Sequence, residues 1–168
     1  TNKTSGSSGN PIRFAKDKYS HAITWAYHME RFGWYGIDFN SSLQARYYGI
    51  PFDTVENKTV RLKDFLAHRH RFSINDLSEN ALDEMLKVYK QKPFEYINGY
   101  TSSIVLFAKY LKDKNIILKN VCPTLKVCIV TSEMLFEADK IFLENQLGVP
   151  IVNEYGCSEA GVIAFTNP

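Results

Sequence analysis

The chain has 168 residues, 45% of them hydrophobic and 14% aromatic, which is enough apolar material to bury the core of one domain and argues against disorder. Lys and Arg number 20 against 18 Asp and Glu, and the resulting charge of +2 is too small a field to argue for nucleic acid or a membrane surface, so a partner must be read from local sites. Cys122, Cys128 and Cys157 match neither a disulfide framework nor a zinc spacing, which favours a reducing, cytoplasmic setting, and no apolar run approaches the roughly 20 residues that cross a bilayer. The first residue is Thr1 rather than Met and no charged-then-apolar leader opens the chain, so it reads as a piece cut from a longer protein. Apolar surface uncovered by such a cut would favour association into a homodimer.

After a run of hydroxyls and glycines at 4–11, residues 12–15 read as a short strand. Asp17 and Ser20 are placed to cap a helix running to about Phe32, with Ala22, Trp25, Ala26 and Met29 at helical spacing and Gly33 and Gly36 as its stop. Residues 43–48 read as a strand ended by Gly49-Ile50-Pro51, and the heavily charged stretch 59–72 as a helix. Ser78 caps a helix with Leu82, Met85, Leu86 and Tyr89 on one face, ended by Pro93. Residues 94–97 form a short strand, and Thr101 caps a helix that is apolar nearly all round through Leu111 and therefore buried. A β-branched run at 125–130 is followed by a helix over 135–147 with Leu135, Ala138, Ile141 and Phe142 inward, stopped by Gly148, and by a strand over 149–153.

Strand and helix alternate through the second half, which predicts right-handed crossovers and an α/β fold: a mostly parallel sheet flanked by helices in three layers, with residues 1–168 as one nucleotide-binding segment. Ligands of such sheets sit beyond the carboxyl ends of the strands, where the segment Asn153-Glu154-Tyr155-Gly156-Cys157-Ser158-Glu159 falls.

Two strings carry chemistry. In Thr4-Ser5-Gly6-Ser7-Ser8-Gly9-Asn10-Pro11 the glycines allow close backbone approach while hydroxyls and amides donate to anionic oxygens, which suits a polyphosphate; the competing reading is a flexible linker. The string fits neither GxxxxGK[ST] nor GxGxxG, which disfavours a P-loop ATPase and a dinucleotide-binding dehydrogenase. In the second string Tyr155 offers a ring for a base, Ser158 a donor for phosphate and Glu159 a hard oxygen for Mg²⁺. The competing reading there is a turn in which Tyr155 packs, Gly156 bends and Glu159 is solvated. The basic cluster His68-Arg69-His70-Arg71 reads as a solvated helix face or loop, and His21 and His28 as surface or satisfied packing.

The two strings, in this order and at this separation, resemble the Ser/Thr/Gly phosphate loop and the Tyr-Gly-x-Ser/Thr-Glu motif of the adenylate-forming, acyl-CoA synthetase-like superfamily. Within it, Leu62-Lys63-Asp64-Phe65-Leu66, Arg71-Phe72-Ser73, Asn98-Gly99-Tyr100-Thr101-Ser102-Ser103 and Thr131-Ser132-Glu133 resemble phenylacetate–CoA ligases and their relatives in capsular polysaccharide biosynthesis. The resemblance covers essentially the whole chain. It implies a segment of the large N-terminal domain of such an enzyme, ATP and Mg²⁺ as cofactors, a small carboxylic acid as substrate and coenzyme A as acceptor. It also implies roles. Thr4, Ser5, Ser7 and Ser8, with Gly6 and Gly9, hold the β- and γ-phosphates. Tyr155 lies against adenine beside Asn153 and Gly156, Ser158 touches the α-phosphate and Glu159 binds Mg²⁺. Ser132 and Glu133 line the acyl and adenine pocket, and residues 98–102 border the acyl site. Asn10 departs from the Lys often found after the loop's second Gly, and a ribose-binding acid and a mobile C-terminal domain with its lysine are expected only after Pro168, so this piece alone should not complete the reaction. The alternatives are an interaction or regulatory module that kept the fold and lost the chemistry, and a capsular polysaccharide biosynthesis protein that activates an acid without coenzyme A.

Overall fold

A computed structural model of the chain describes residues 2–3, 10, 12–48 and 62–168, with side chains from residue 10 onward. Two short strands, β1 (Asn2–Lys3) and β2 (Arg13–Phe14), pair antiparallel with Asn2 opposite Phe14. Residues 4–9, the expected phosphate loop, stand between them and lie outside the described residues, as do 49–51 and 59–61. The main sheet has six strands in the order β4 (Arg69–Phe72), β3 (Gln44–Tyr47), β5 (Tyr96–Tyr100), β6 (Val127–Thr131), β7 (Ile151–Cys157) and β8 (Gly161–Phe165). All neighbours are parallel except β8, which returns antiparallel from β7. The expected mostly parallel α/β sheet is what the chain forms.

Helices cover both faces. On one side α2 (Glu79–Gln91), α3 (Thr101–Asp113) and α5 (Glu137–Leu147) enclose the larger core, into which Ala45, Tyr47, Ile97, Cys128, Val130 and Ile151 point from alternate strand positions. A run of aromatic rings crosses this core: Phe72 stacks on Tyr89 at 5.4 Å and Tyr89 on Phe107 at 5.6 Å, while the Tyr47 hydroxyl donates to that of Tyr89 at 3.2 Å, so the buried phenols satisfy each other. Burial on this scale explains why α2 keeps the face foreseen for it, with Leu82, Met85, Leu86 and Tyr89 all inside. A short α4 (Leu118–Val121) leads into β6. On the other face a smaller core joins Phe32 and Ile37 to Tyr96, Val127, Ile129 and Val152. Its helix is α1 (Lys18–Gly33), capped as expected by Asp17, whose Oδ1 accepts from the Ser20 amide at 2.7 Å.

Several local expectations shift. The stretch 59–72 is not one helix: among described residues only 62–66 are helical, and Arg69–Phe72 is an edge strand, held there because Asp64 accepts from Arg71 Nε and Nη2, both at 3.0 Å. Strand β5 begins two residues later than expected and runs through Asn98-Gly99-Tyr100. Gly99 is needed where it is, since a Cβ there would lie 2.3 Å from the Tyr47 carbonyl oxygen. Thr101 is the first residue of α3 rather than its cap, the N-cap position being Tyr100. In α5 the inward residues are Leu143 and Leu147, with Leu135 and Phe142 half-buried and Ala138 and Ile141 exposed, because the helix lies on α3 with a rotation that its own sequence does not specify. The α1 positions Ala22, Trp25, Ala26 and Met29 share a face that stays exposed, and Phe32 alone of that helix is buried. No helix among the described residues is long and apolar enough to cross a membrane.

His70 on β4 packs on Phe72 and Phe94 and has the Lys92 ammonium 3.1 Å from Nδ1, so burial first, and the lysine charge second, pull its pKa down to about 4. A histidine depressed from 6.5 contributes stability that is complete above pH 6.5 and lost as pH falls toward 4. His70→Gln should therefore flatten the decline in melting temperature between pH 6.5 and 4, measured by circular dichroism.

Candidate functional site

Strand β7 runs past the expected end at Asn153 and reaches Cys157, so Asn153, Tyr155 and Gly156 are strand residues rather than loop residues. Ser158, Glu159 and Ala160 form the turn into β8. The strand extends because β8 folds back on it, with Glu154 opposite Phe165 and Tyr155 opposite Ala164, and the register slips between Tyr155 and Gly156. A Cβ at Gly156 would stand 2.5 Å from the Gly161 carbonyl oxygen, so this glycine is demanded by the hairpin itself. The Cys157 sulfur accepts the Ala160 amide at 3.3 Å across the same turn.

Alternation along β7 divides its side chains between two cavities. On the side of α3 and α5, Ser132, Glu133, Met134, Leu135, Asn153, Glu154, Tyr155 and Gly156 line a cavity of 360 Å³, with the Tyr155 ring 64% exposed beside it. Ser132 and Glu133, assigned from the resemblance to the acyl and adenine pocket, meet here with Asn153, Tyr155 and Gly156, assigned to the base. Ser132 follows β6 with φ of 69°, a left-handed conformation that costs a non-glycine residue on the order of 1–2 kcal/mol. Glu133 has a visible structural task, since its carboxylate accepts from the Ser102 amide at 2.7 Å and the Ser102 hydroxyl at 3.0 Å and so caps α3 from a distant loop.

On the α1 side, Glu154 faces Thr131, its register partner on β6, and lies near His28 and Arg31. Burial raises the Glu154 pKa, opposed by His28, by a hydrogen bond from Thr131 and by Arg31. Two cavities adjoin on this face. One, of 400 Å³, includes Thr131, Ser132, Gly156 and Ser158 in its wall. The other, of 510 Å³, extends under Trp25, Met29, Phe32 and Phe39 to Gln44, Arg46, Arg69 and Asn98 on the neighbouring strands. His28, Tyr48 and Glu154 line both. A fixed polar floor joins the strands, as the Tyr48 hydroxyl donates to Asn98 Oδ1 at 3.0 Å, Gln44 Nε2 donates to the same oxygen at 3.4 Å, and Asn98 Nδ2 donates to the Ile129 carbonyl at 3.2 Å. The weakly foreseen border at 98–102 is thus divided: Asn98 faces the 510 Å³ cavity, whereas Ser102 is bonded to Glu133.

Ser158 and Glu159 are exposed in the turn, and Glu159 borders a further cavity with Lys16, Ser20 and Thr24. Among the described residues no cluster of three or more His, Cys, Asp or Glu forms a ready metal cage. A single carboxylate on a turn suits a cation that takes its other ligands from phosphate and water, the usual habit of Mg²⁺. Thr4, Ser5, Gly6, Ser7, Ser8 and Gly9 lie outside the described residues, and Asn10 is exposed. His28, read from sequence as surface or satisfied packing, is half-buried, bonded through Nδ1 to the Thr24 carbonyl at 2.8 Å, and lines two cavities. Arg46 and Tyr48 carry no motif, and their only sequence signal is polar residues at every second position of a strand, which reads equally as a solvent face.

No protein-family model and no curated protein matches the chain. Solved structures do. The chain is similar to 2-hydroxyisobutyryl-CoA ligase in an open conformation with 2-HIB-AMP and CoA (TM-score 0.64, 13% identity, 98% of this chain and 38% of that chain). It is likewise similar to malonyl-CoA ligase in a product complex with methylmalonyl-CoA and AMP (TM-score 0.63, 14% identity, 98% and 34%). A third match is apo MatB from Rhodopseudomonas palustris (TM-score 0.61, 12% identity, 98% and 30%). At these identities the likeness is one of fold, and the chain spans 30 to 38% of the length of these proteins.

A carboxyl whose folded pKa is raised above its ordinary 4.5 adds stability that is complete below that value and lost as pH climbs through the folded one. Glu154→Gln should accordingly raise the melting temperature at neutral pH and leave it near the original at pH 4, in a pH series of thermal melts.

Proposed function

We propose that the protein containing this chain activates a carboxylic acid with ATP. The acid's oxygen attacks the α-phosphorus, the bond to pyrophosphate breaks, and the acyl-adenylate so formed passes its acyl group to a thiol, coenzyme A, with release of AMP. Residues 1–168 would be the nucleotide-binding segment of a larger N-terminal domain in a cytoplasmic enzyme. The observation that carries the reading is the pair of cavities on either side of β7: Tyr155 borders one, Ser158 the other, and Gly156 both. The shared fold with ligases solved with acyl-AMP, AMP and CoA supports it.

In this reading adenine lies against Tyr155 in the 360 Å³ cavity, with Ser132, Glu133 and Asn153 around it, and base–aromatic stacking contributes about 1–3 kcal/mol. Ser158 donates to the α-phosphate at the hairpin turn, Thr4, Ser5, Ser7 and Ser8 hold the outer phosphates, and Gly6 and Gly9 let the backbone approach them. Glu159 would hold Mg²⁺, which neutralises phosphate charge as the α–β bond breaks. The acid would lie on the α1 side of the sheet, within reach of the cavity that Ser158 borders.

The finer likeness to phenylacetate–CoA ligases and their capsular polysaccharide relatives rests on sequence strings, two of which the fold ties together: Asp64 of the 62–66 string holds Arg71 of the 71–73 string by two hydrogen bonds. The full-length protein should exchange labelled pyrophosphate into ATP when supplied with its acid. Glu159→Gln should lower that exchange about 100-fold; normal exchange at ordinary Mg²⁺ would remove Glu159 from the role. Absence of both Mg-ATP binding and acid-dependent exchange in the unaltered protein would favour the non-catalytic module, to which the exposed Asn10 in place of Lys points.

A further inference from the structure

Arg46 on β3 is a half-buried cation with no anion among the described residues. Its Nε is buried and has no hydrogen-bond partner, its guanidinium lies 4.6 Å from the centre of the Tyr48 ring, and no carboxylate pairs with it among the described residues. Its neighbours relieve the charge only in part: Tyr48 and, from farther off, Asp64 favour it, while Arg69 and Arg71 oppose it. Arg71, opposite it in the β3–β4 register, takes Asp64 at 3.0 Å, and Arg69 takes the same carboxylate at 3.5 Å. One acid thus serves two guanidiniums, and both repel Arg46. Desolvation pulls the Arg46 pKa down, but arginine remains charged at neutral pH.

Leaving a cation in such surroundings is costly unless a counter-ion arrives. Arg46 and Arg69 line the 510 Å³ cavity, whose roof is apolar and whose opposite end reaches Glu154 and the cavity bordered by Ser158. The amide groups of the floor are largely committed to one another and to Tyr48, so the cation is the group left seeking a partner. From β3 to β7 are three strand spacings, roughly 14 Å between backbones, part of which the arginine side chain covers.

Building on the acid activation proposed above, we infer that the acid is a dicarboxylic one: its second carboxylate pairs with Arg46, assisted by Arg69, and an apolar spacer lies under Trp25, Met29 and Phe39. The spacer is several carbons or one ring long. The carboxylate to be activated points toward Gly156.

The test compares matched pairs, 4-carboxyphenylacetate against phenylacetate and adipate against hexanoate, on the full-length protein with α,β-methylene-ATP, whose α–β bond cannot be cleaved. Titration calorimetry should show the better diacid binding at least about tenfold more tightly than its monoacid. In Arg46→Met, which keeps the length of the stem, the ratio should fall to near one, and in Arg46→Lys part of it should return. If Met at this position prevents folding, Arg69→Gln reads the same ratio. Equal or weaker binding of both diacids, or a preference that survives in a folded Arg46→Met protein, overturns the inference. Pyrophosphate exchange with ATP separates the two layers: exchange with monoacids alone sinks the diacid while leaving acid activation standing, whereas a diacid preference in binding with no exchange from any acid sinks the activation and keeps the Arg46 site.

Discussion

Strand β6 is buried along its whole length and sits between β5 and β7, and the register it imposes on them organises everything at the carboxyl edge of the sheet. Thr131 is paired with Tyr100 on one side and Glu154 on the other, while Asn98 is paired with Ile129 one row below. Because side chains alternate with a period of two, a slip of one residue would send Glu154 and Asn98 into the core around α3 and bring Tyr155 to the α1 face. The apolar run Val127-Cys128-Ile129-Val130, each residue fully buried on one face or the other, lets β6 fill both cores along its length.

From that register follow two surfaces with different chemistry. The face under α2, α3 and α5 is filled with aliphatic and stacked aromatic side chains up to its upper edge, where Asn153 and Tyr155 border a small cavity. The face under α1 is apolar only toward Phe32 and Ile37; toward β3 and β4 it becomes a polar floor of Gln44, Arg46, Asn98, Arg69 and Arg71. Among the described residues α1 and the segment 62–67 lie on this face, and both contribute to the wall of the 510 Å³ cavity. The exposed aromatic side of α1 borders it, with Trp25 and Met29 about half exposed.

Constraint and chemistry share residues at the site. Gly156 is needed by the hairpin whatever ligand binds, because Gly161 lies where its Cβ would be. Glu133 caps α3 and Ser132 holds a left-handed backbone beside it, so the loop after β6 is fixed by a carboxylate that also lines the 360 Å³ cavity. Such dual use places cavity-lining atoms on elements that are already held, so that a ligand bound there would require little reorganisation.

The alternation of elements, the buried stripe of α2 and the string from Tyr155 to Glu159 were legible in the sequence because each depends on neighbours within a few residues. The α5 face and the strand at 69–72 were not. The rotation of α5 is set by α3, and the strand by the grip of Asp64 on Arg71, both contacts between distant segments. The same reason hid Arg46 and Tyr48, since a polar residue at every second position of a strand describes solvent and cavity alike until strand order decides what lies opposite. Local sequence determined that this is an α/β chain with a motif at the end of a late parallel strand. Tertiary pairing alone decided which side chains share a face, and therefore that Arg46 looks into a cavity with no carboxylate paired to it among the described residues.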